Sequence, residues 1–161
     1  MGISIFILLG SNLGDRQEHL DRARLEISRH AGEIVTASSV YKTAAWGNTH
    51  QPDFYNQVIE VHSSLDPAKL ISETQLIEQK MGRTRNEKWG ARIIDIDILF
   101  YGNSVLSGES LTIPHPEIAN RRFTLLPLAE IAPDFIHPIL KKSVREMLSD
   151  CKDNLPVEKV V

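Results

Sequence analysis

Ile93-Ile94-Asp95-Ile96-Asp97-Ile98-Leu99-Phe100-Tyr101 is the stretch on which the fold turns. β-Branched residues alternating with aspartate predict a strand over residues 93–101. Successive side chains on a strand point to opposite faces, so Ile94, Ile96 and Ile98 share one face and Asp95 and Asp97 the other. The isoleucine face requires a core, and the aspartate face is left for chemistry. Upstream, Asp66-Pro67 reads as an N-cap followed by proline at the first helical position. Leu70, Thr74, Ile77 and Met81 then line one helical face, and Gly82 ends it. Residues 54–63 and 33–42 read as strands. Between them the loop 43–53 has no periodicity. A helix starts at Asp15, with Leu20, Ala23, Ile27 and Ala31 as its stripe and Gly32 as its stop. Ile3-Ser4-Ile5-Phe6-Ile7-Leu8-Leu9 is nearly all apolar, as expected of a central strand covered on both sides.

The order strand, helix, strand, strand, helix, strand predicts an α+β fold of the ferredoxin-like βαββαβ kind. Its sheet would be mainly antiparallel and four-stranded, with both helices on one face. The C-terminal third predicts a hairpin near Gly102-Asn103, a proline-rich loop at 113–117, a helix at 121–130 and a short helix at 143–149. Residues 152–161 are expected to fray. The chain of 161 residues, without repeats or linkers, reads as a single domain.

Apolar residues make up 42% and charged residues 24%, with a net charge of -3. There is no general basic field, which argues against a nucleic-acid partner. The lone Cys151 leaves no intramolecular disulfide and no cysteine-based zinc site, which fits the cytoplasm. The apolar run 3–9 has no basic flank of a signal peptide and is too short to span a membrane.

Asp95 and Asp97 stand roughly 7 Å apart along the backbone on one face. That suits one or two hard cations, although a bare Asp-x-Asp is more often a solvated acidic face. The preceding loop shifts the balance. Arg83, Arg85, Lys88 and Arg92 fall within residues 83–92. Carboxylates that hold Mg²⁺ beside arginines that grip phosphate are the working parts of phosphoryl transfer. The segment is expected to close over a bound nucleotide. Residues 10–15 lack the lysine and spacing of a Walker A loop and read first as a turn with a helix cap, with a lesser role in shaping a pocket. Gln75 and Glu78 share a helical face off the apolar stripe, where solvation is the default. Phe54 and Asn56, two apart on a strand, could stack on and hydrogen-bond a flat heterocycle. His115 is held between Pro114 and Pro116, just before Arg121 and Arg122.

Four segments in order resemble the 6-hydroxymethyl-7,8-dihydropterin pyrophosphokinase family: Gly10-Ser11-Asn12-Leu13; Gln51-Pro52-Asp53-Phe54-Tyr55-Asn56; Gly82-Arg83 through Trp89-Gly90-Ala91-Arg92 to Asp95-Ile96-Asp97; and Pro114-His115-Pro116 with Asn120-Arg121. The resemblance implies transfer of the two terminal phosphates of ATP to a pterin hydroxymethyl group, with release of AMP, in folate biosynthesis. It implies two Mg²⁺ on Asp95 and Asp97, and Arg83, Arg92 and Asp97 in catalysis. ATP contacts would come from Gln75, Glu78, Arg85, Trp89, Arg92, Ile98, Thr112, His115 and Arg121. The pterin would meet Thr43, Trp46, Phe54, Asn56, Asp95 and Phe123. Family members often carry proline at position 44 or 45, and some carry arginine at 110 and tyrosine at 116. This chain has Ala44, Ala45, Ser110 and Pro116 there. The enzyme would be a monomer with small-molecule partners only. Two alternatives are a non-catalytic ferredoxin-like module binding RNA or a nucleotide, and a kinase that transfers only the γ-phosphate.

Overall fold

A computed structural model describes residues 2–44, 52–82 and 93–160. Strand β1 (Ile3–Ser11) runs down the middle of an antiparallel sheet. It pairs on one side with β4 (Phe54–Ser63) and on the other with β5 (Asp95–Tyr101). Beyond β4 lie β2 (Glu33–Ala37), β3 (Tyr41–Thr43) and, outermost, β8 (Val157–Lys159).

Helices α1 (Arg16–His30) and α2 (Pro67–Lys80) cover one face. Leu20, Ala23, Ile27, Leu70 and Ile77 pack there against Ile5, Ile7, Leu9, Ile59, Val61, Ile96 and Ile98. On the other face, α3 (Arg122–Ile131) and α4 (Val144–Asp150) bring Leu125, Leu128, Val144 and Met147 onto Phe6, Leu8, Val58 and Phe100. The mixed α/β architecture, the antiparallel sheet, the two helices on one face and both C-terminal helices are as the sequence predicts. Asp15 caps α1 by accepting from the Glu18 N–H, and Asp66 caps α2 by accepting from the Lys69 N–H. Gly82 ends α2 with a φ of 90°, in the left-handed region that favours glycine.

Four features differ from expectation. Among the described residues the sheet has six strands rather than four. The single strand expected over 33–42 breaks in two around Ser38. There Val58 N–H donates to Ser38 Oγ and the Gln57 amide donates to the Ser38 carbonyl, so side chains satisfy backbone groups where β2 gives way to β3. The C-terminal hairpin forms between β6 (Leu106–Ser107) and β7 (Thr112–Ile113), and Gly102 makes only the turn after β5. Finally, residues 152–161 are not a frayed tail. Asp153 accepts a hydrogen bond from the Arg122 N–H, and β8 closes the edge of β3. Three residues with one apolar side chain carry no strand signal of their own, so only the waiting edge orders them.

His137 is buried, and its Nδ1 accepts from the Ile139 and Leu140 N–H groups. Burial holds its pKa below the usual value. A depressed histidine pKa stabilises the fold fully above the unfolded value of about 6.5, and that stabilisation is lost as pH falls through it. The urea midpoint should therefore be level from pH 8 to 7 and fall below about 6.5. His137→Asn, whose amide oxygen can accept the same N–H groups without titrating, should flatten part of that slope.

Candidate active site

The candidate residues gather at one end of the sheet, on the face that α3 covers. Asn56, Gly10 and Asp95 are direct cross-strand partners, and Val58, Leu8 and Asp97 form the next row on the same side. Leu8 and Val58 belong to the core beneath α3. Asn56, Phe54 and both aspartates therefore share that face. With strands about 4.8 Å apart, Asn56 and Asp95 lie about 10 Å from each other across Gly10. That is the scale of one small heterocycle.

Phe54 pairs with Thr43 across β3–β4, and the Asn56 amide donates to Thr43 Oγ1 at 2.9 Å. Asn56 and Thr43 are both buried, so this bond fixes the amide for whatever meets it. Phe123, at the start of α3, is half-buried against the same core. The Arg121 guanidinium stands 5.6 Å from the Phe123 ring centre. Asp95 and Asp97 are half-buried.

Further along the edge, His115 N–H donates to the Leu99 carbonyl of β5. The His115 Nδ1 accepts from the Glu117 N–H at 3.1 Å, which leaves the proton on Nε2. Burial, and next the positive Arg121, hold the ring below its ordinary pKa. His115 is thus a neutral donor at neutral pH. Thr112 is exposed in β7 nearby. Ile98 is only 3% exposed and packs in the core under α1 and α2, so any contact it makes with a ligand is through its backbone. Gln75 is half-buried on α2.

Glu78 departs from its expected solvation. It is 4% exposed, and its Oε2 accepts from the Ile96 N–H at 2.8 Å. Trp46, Arg83, Arg85, Trp89 and Arg92, with the expected closing segment 83–92, lie outside the described residues.

Three contributors stand out more sharply here than in the sequence, where Gly10 and Asn12 belong only to a turn with a lesser part in the pocket and Arg16 is not singled out. A Cβ on Gly10 would stand 2.9 Å from Asn56 Oδ1 and 3.6 Å from the Phe54 ring. Gly10 is thus the gap that lets those side chains sit over β1. The Asn12 amide donates to the Pro52 carbonyl, and Arg16 donates to the Asp53 carbonyl while its guanidinium lies 4.0 Å from the Tyr55 ring centre. Both hold the approach to Phe54. The signal was present in Gly10-Ser11-Asn12, but nothing local says that a loop 40 residues on will lie against it.

Among the described residues, no group of three or more His, Cys, Asp or Glu side chains could hold a metal ion. The aspartate pair therefore offers two hard oxygen donors and no closed cage. Magnesium is commonly bound in that way, through one or two carboxylates with the remaining positions filled by substrate phosphates and water. The donor set fits that ion.

Residues 6–133 match the family model described as 7,8-dihydro-6-hydroxymethylpterin-pyrophosphokinase (HPPK). The chain belongs to this family. A 2-amino-4-hydroxy-6-hydroxymethyldihydropteridine pyrophosphokinase of Haemophilus influenzae is 44% identical over 137 residues, covering 84% of this chain and 86% of its own. One from Aquifex aeolicus is 40% identical, with 89% of each covered. The folic acid synthesis protein fol1 of Pneumocystis carinii is 38% identical over 94% of this chain, which spans only 20% of that larger protein. Among solved structures, a Plasmodium falciparum HPPK-DHPS superimposes with a TM-score of 0.75 at 17% identity. It covers 92% of this chain, and this chain spans 42% of it. That likeness establishes the fold.

Gly10→Ala should overpack the Asn56–Phe54 contact, weakening binding of a pterin by about 1–3 kcal/mol. Binding of ATP should change little. Titrating each ligand separately into the folded variant checks this, and equal losses for both would remove Gly10 from the pterin pocket.

Proposed function

We propose that this HPPK-family chain transfers pyrophosphate from ATP to the hydroxymethyl group of 6-hydroxymethyl-7,8-dihydropterin and releases AMP, within folate biosynthesis. The observation that carries this reading is the cross-strand row Asn56–Gly10–Asp95, which puts Asn56 and the two aspartates on one face and so supports a heterocycle beside a carboxylate pair. In this reading Phe54 and Phe123 sandwich the pterin ring, while Thr43, Asn56 and Trp46 meet its edge. ATP lies along the outer edge of β5, against Gln75, Ile98, Thr112, His115 and Arg121, with Arg83, Arg85, Trp89 and Arg92 contributed by the preceding segment; Glu78, expected among these contacts, is left out because its buried carboxylate accepts from the Ile96 N–H. The neutral His115 donates from Nε2.

The pterin hydroxymethyl oxygen attacks the β-phosphorus, the bond from that phosphorus to the α–β bridging oxygen breaks, and AMP departs in line. Asp97 assists loss of the hydroxyl proton. Two Mg²⁺ on Asp95 and Asp97 would, when bound, neutralise phosphate charge and lower the hydroxyl pKa. Arg83 and Arg92 stabilise the charge that builds on the transferring group. β1, β2 with β3, β4 and β5, together with α1 and α2, are read as a ferredoxin-like core to which the C-terminal elements are added, all within one domain of residues 1–161. A monomer acting in the cytoplasm on small molecules alone belongs to the same proposal. Among the described residues no helix is long and apolar enough to cross a membrane.

Incubation with Mg-ATP and the pterin should produce AMP and no ADP. ADP would mark a γ-phosphate kinase, and no nucleotide product at all would favour a binding module. Asp95→Ala and Asp97→Ala should each lower turnover by about 10²-fold or more without loss of fold. Near-normal rates in either variant would sink the metal assignment. Phe54→Ala and Phe123→Ala should each weaken pterin binding by about 1–3 kcal/mol, as loss of one stacked ring does. A calorimetric titration that found ATP binding equally weakened would mean that these rings serve the core.

A further inference from the structure

We infer that Glu78 is a positioning residue, which sets where β5 holds Asp95 and Asp97 and thereby sets the affinity of that pair for a divalent cation. The inference rests on the reading of the two aspartates as metal ligands.

Glu78 sits on α2, the helix that covers the sheet face opposite to the aspartates. Its neighbour Ile77 is in that core, and Glu78 is itself 4% exposed. A carboxylate is seldom buried unless its charge is compensated. Here its Oε2 receives the N–H of Ile96, the residue between the two aspartates. β5 lies at the end of the sheet path, so among the described strands only β1 pairs with it. An N–H on the outer side of such a strand has no ladder partner and needs another acceptor. Glu78 supplies one with a full negative charge, and bonds of that kind are short and strong. The bond pins the backbone at Ile96, one residue from each aspartate.

Metal affinity is sensitive to this kind of support. Two carboxylates can share a cation only if their oxygens converge, and their directions follow the twist of the strand beneath them. Residues that hold a ligand in place from behind commonly contribute 10–100-fold in metal affinity or activity, by about the same range in many sites. Glu78 does this from α2, the helix on the far side of the sheet.

Glu78→Ala, Glu78→Asp and Glu78→Gln separate this role from others. Glutamine keeps an oxygen at the same reach and can still accept from Ile96. Aspartate keeps the charge but is one methylene too short. Mn²⁺ binding to the free protein, followed by electron paramagnetic resonance, should weaken about 10-fold or more in the alanine and aspartate variants. The glutamine variant should stay within about threefold of the parent. Metal-free ATP binding, titrated in EDTA, should stay within about twofold throughout. The Mg²⁺ concentration for half-maximal AMP formation should move in step with Mn²⁺ affinity.

Unchanged Mn²⁺ affinity in the folded alanine or aspartate variant would overturn the inference. So would a glutamine variant as weak as alanine, since charge and not the backbone bond would then matter. Loss of metal-free ATP binding would overturn it as well, in favour of direct contact with the nucleotide. If the alanine variant does not fold, aspartate against glutamine decides. Asp95→Ala is the control for the underlying reading. If it too leaves Mn²⁺ binding intact, the metal assignment has failed; if it abolishes binding while the Glu78 variants do not, only the positioning role has.

Discussion

Strand β1 is apolar on both sides, and such a strand is stable only between two layers. Ile5, Ile7 and Leu9 are fully buried under α1 and α2, while Phe6 and Leu8 are buried under α3 and α4. Each such side chain contributes about 1.5–3 kcal/mol when taken out of water. The sheet therefore has to recruit helices for both faces and strands for both edges of β1. Pairing with β4 on one side and β5 on the other follows, and the register of those pairings is set because a one-residue slip would turn every side chain to the wrong face. The candidate site inherits its geometry from that register. Gly10 lies near the C-terminal end of β1, with Asn56 on one side and Asp95 on the other.

The same constraint gives the two halves of the site different supports. The half around Asn56 is built from buried, mutually bonded polar groups, as the Asn56–Thr43 bond shows, with Phe123 of α3 packed half-buried against the core of that face. It is preorganised, which limits the entropy lost on binding a rigid ring. The carboxylate half lies on β5, at the end of the sheet path. Its outer side is held at separate points, by Glu78 at the Ile96 N–H and by the His115 N–H at the Leu99 carbonyl.

Much of the fold could be read directly. The helix stripes, both N-cap aspartates, the strand over 54–63 and the proximity implied by Asp95-Ile96-Asp97 all stand where the pattern put them. What escaped had weak local signals. β8 is three residues long and ordered by an edge elsewhere in the chain. The break at Ser38 is stabilised by Gln57 and Val58, roughly 20 residues away in sequence, which the periodicity of 33–42 cannot register. Glu78 looked solvated because its helical position is off the main apolar stripe, yet a sheet edge lies beside it.

The sequence by itself determined the main helices and central strands, their order, the face on which the aspartates lie and the family. These depend on side-chain period, capping chemistry and short motifs, all of them local along the chain. Only the tertiary structure decided which residues meet. Gly10 as the gap beneath Asn56, Arg16 and Asn12 as the props of the approach to Phe54, and Glu78 as the acceptor for Ile96 are contacts between distant segments. Pattern records whether a residue prefers water or a core; it does not record the partner that a backbone N–H will find when two layers close on the same sheet.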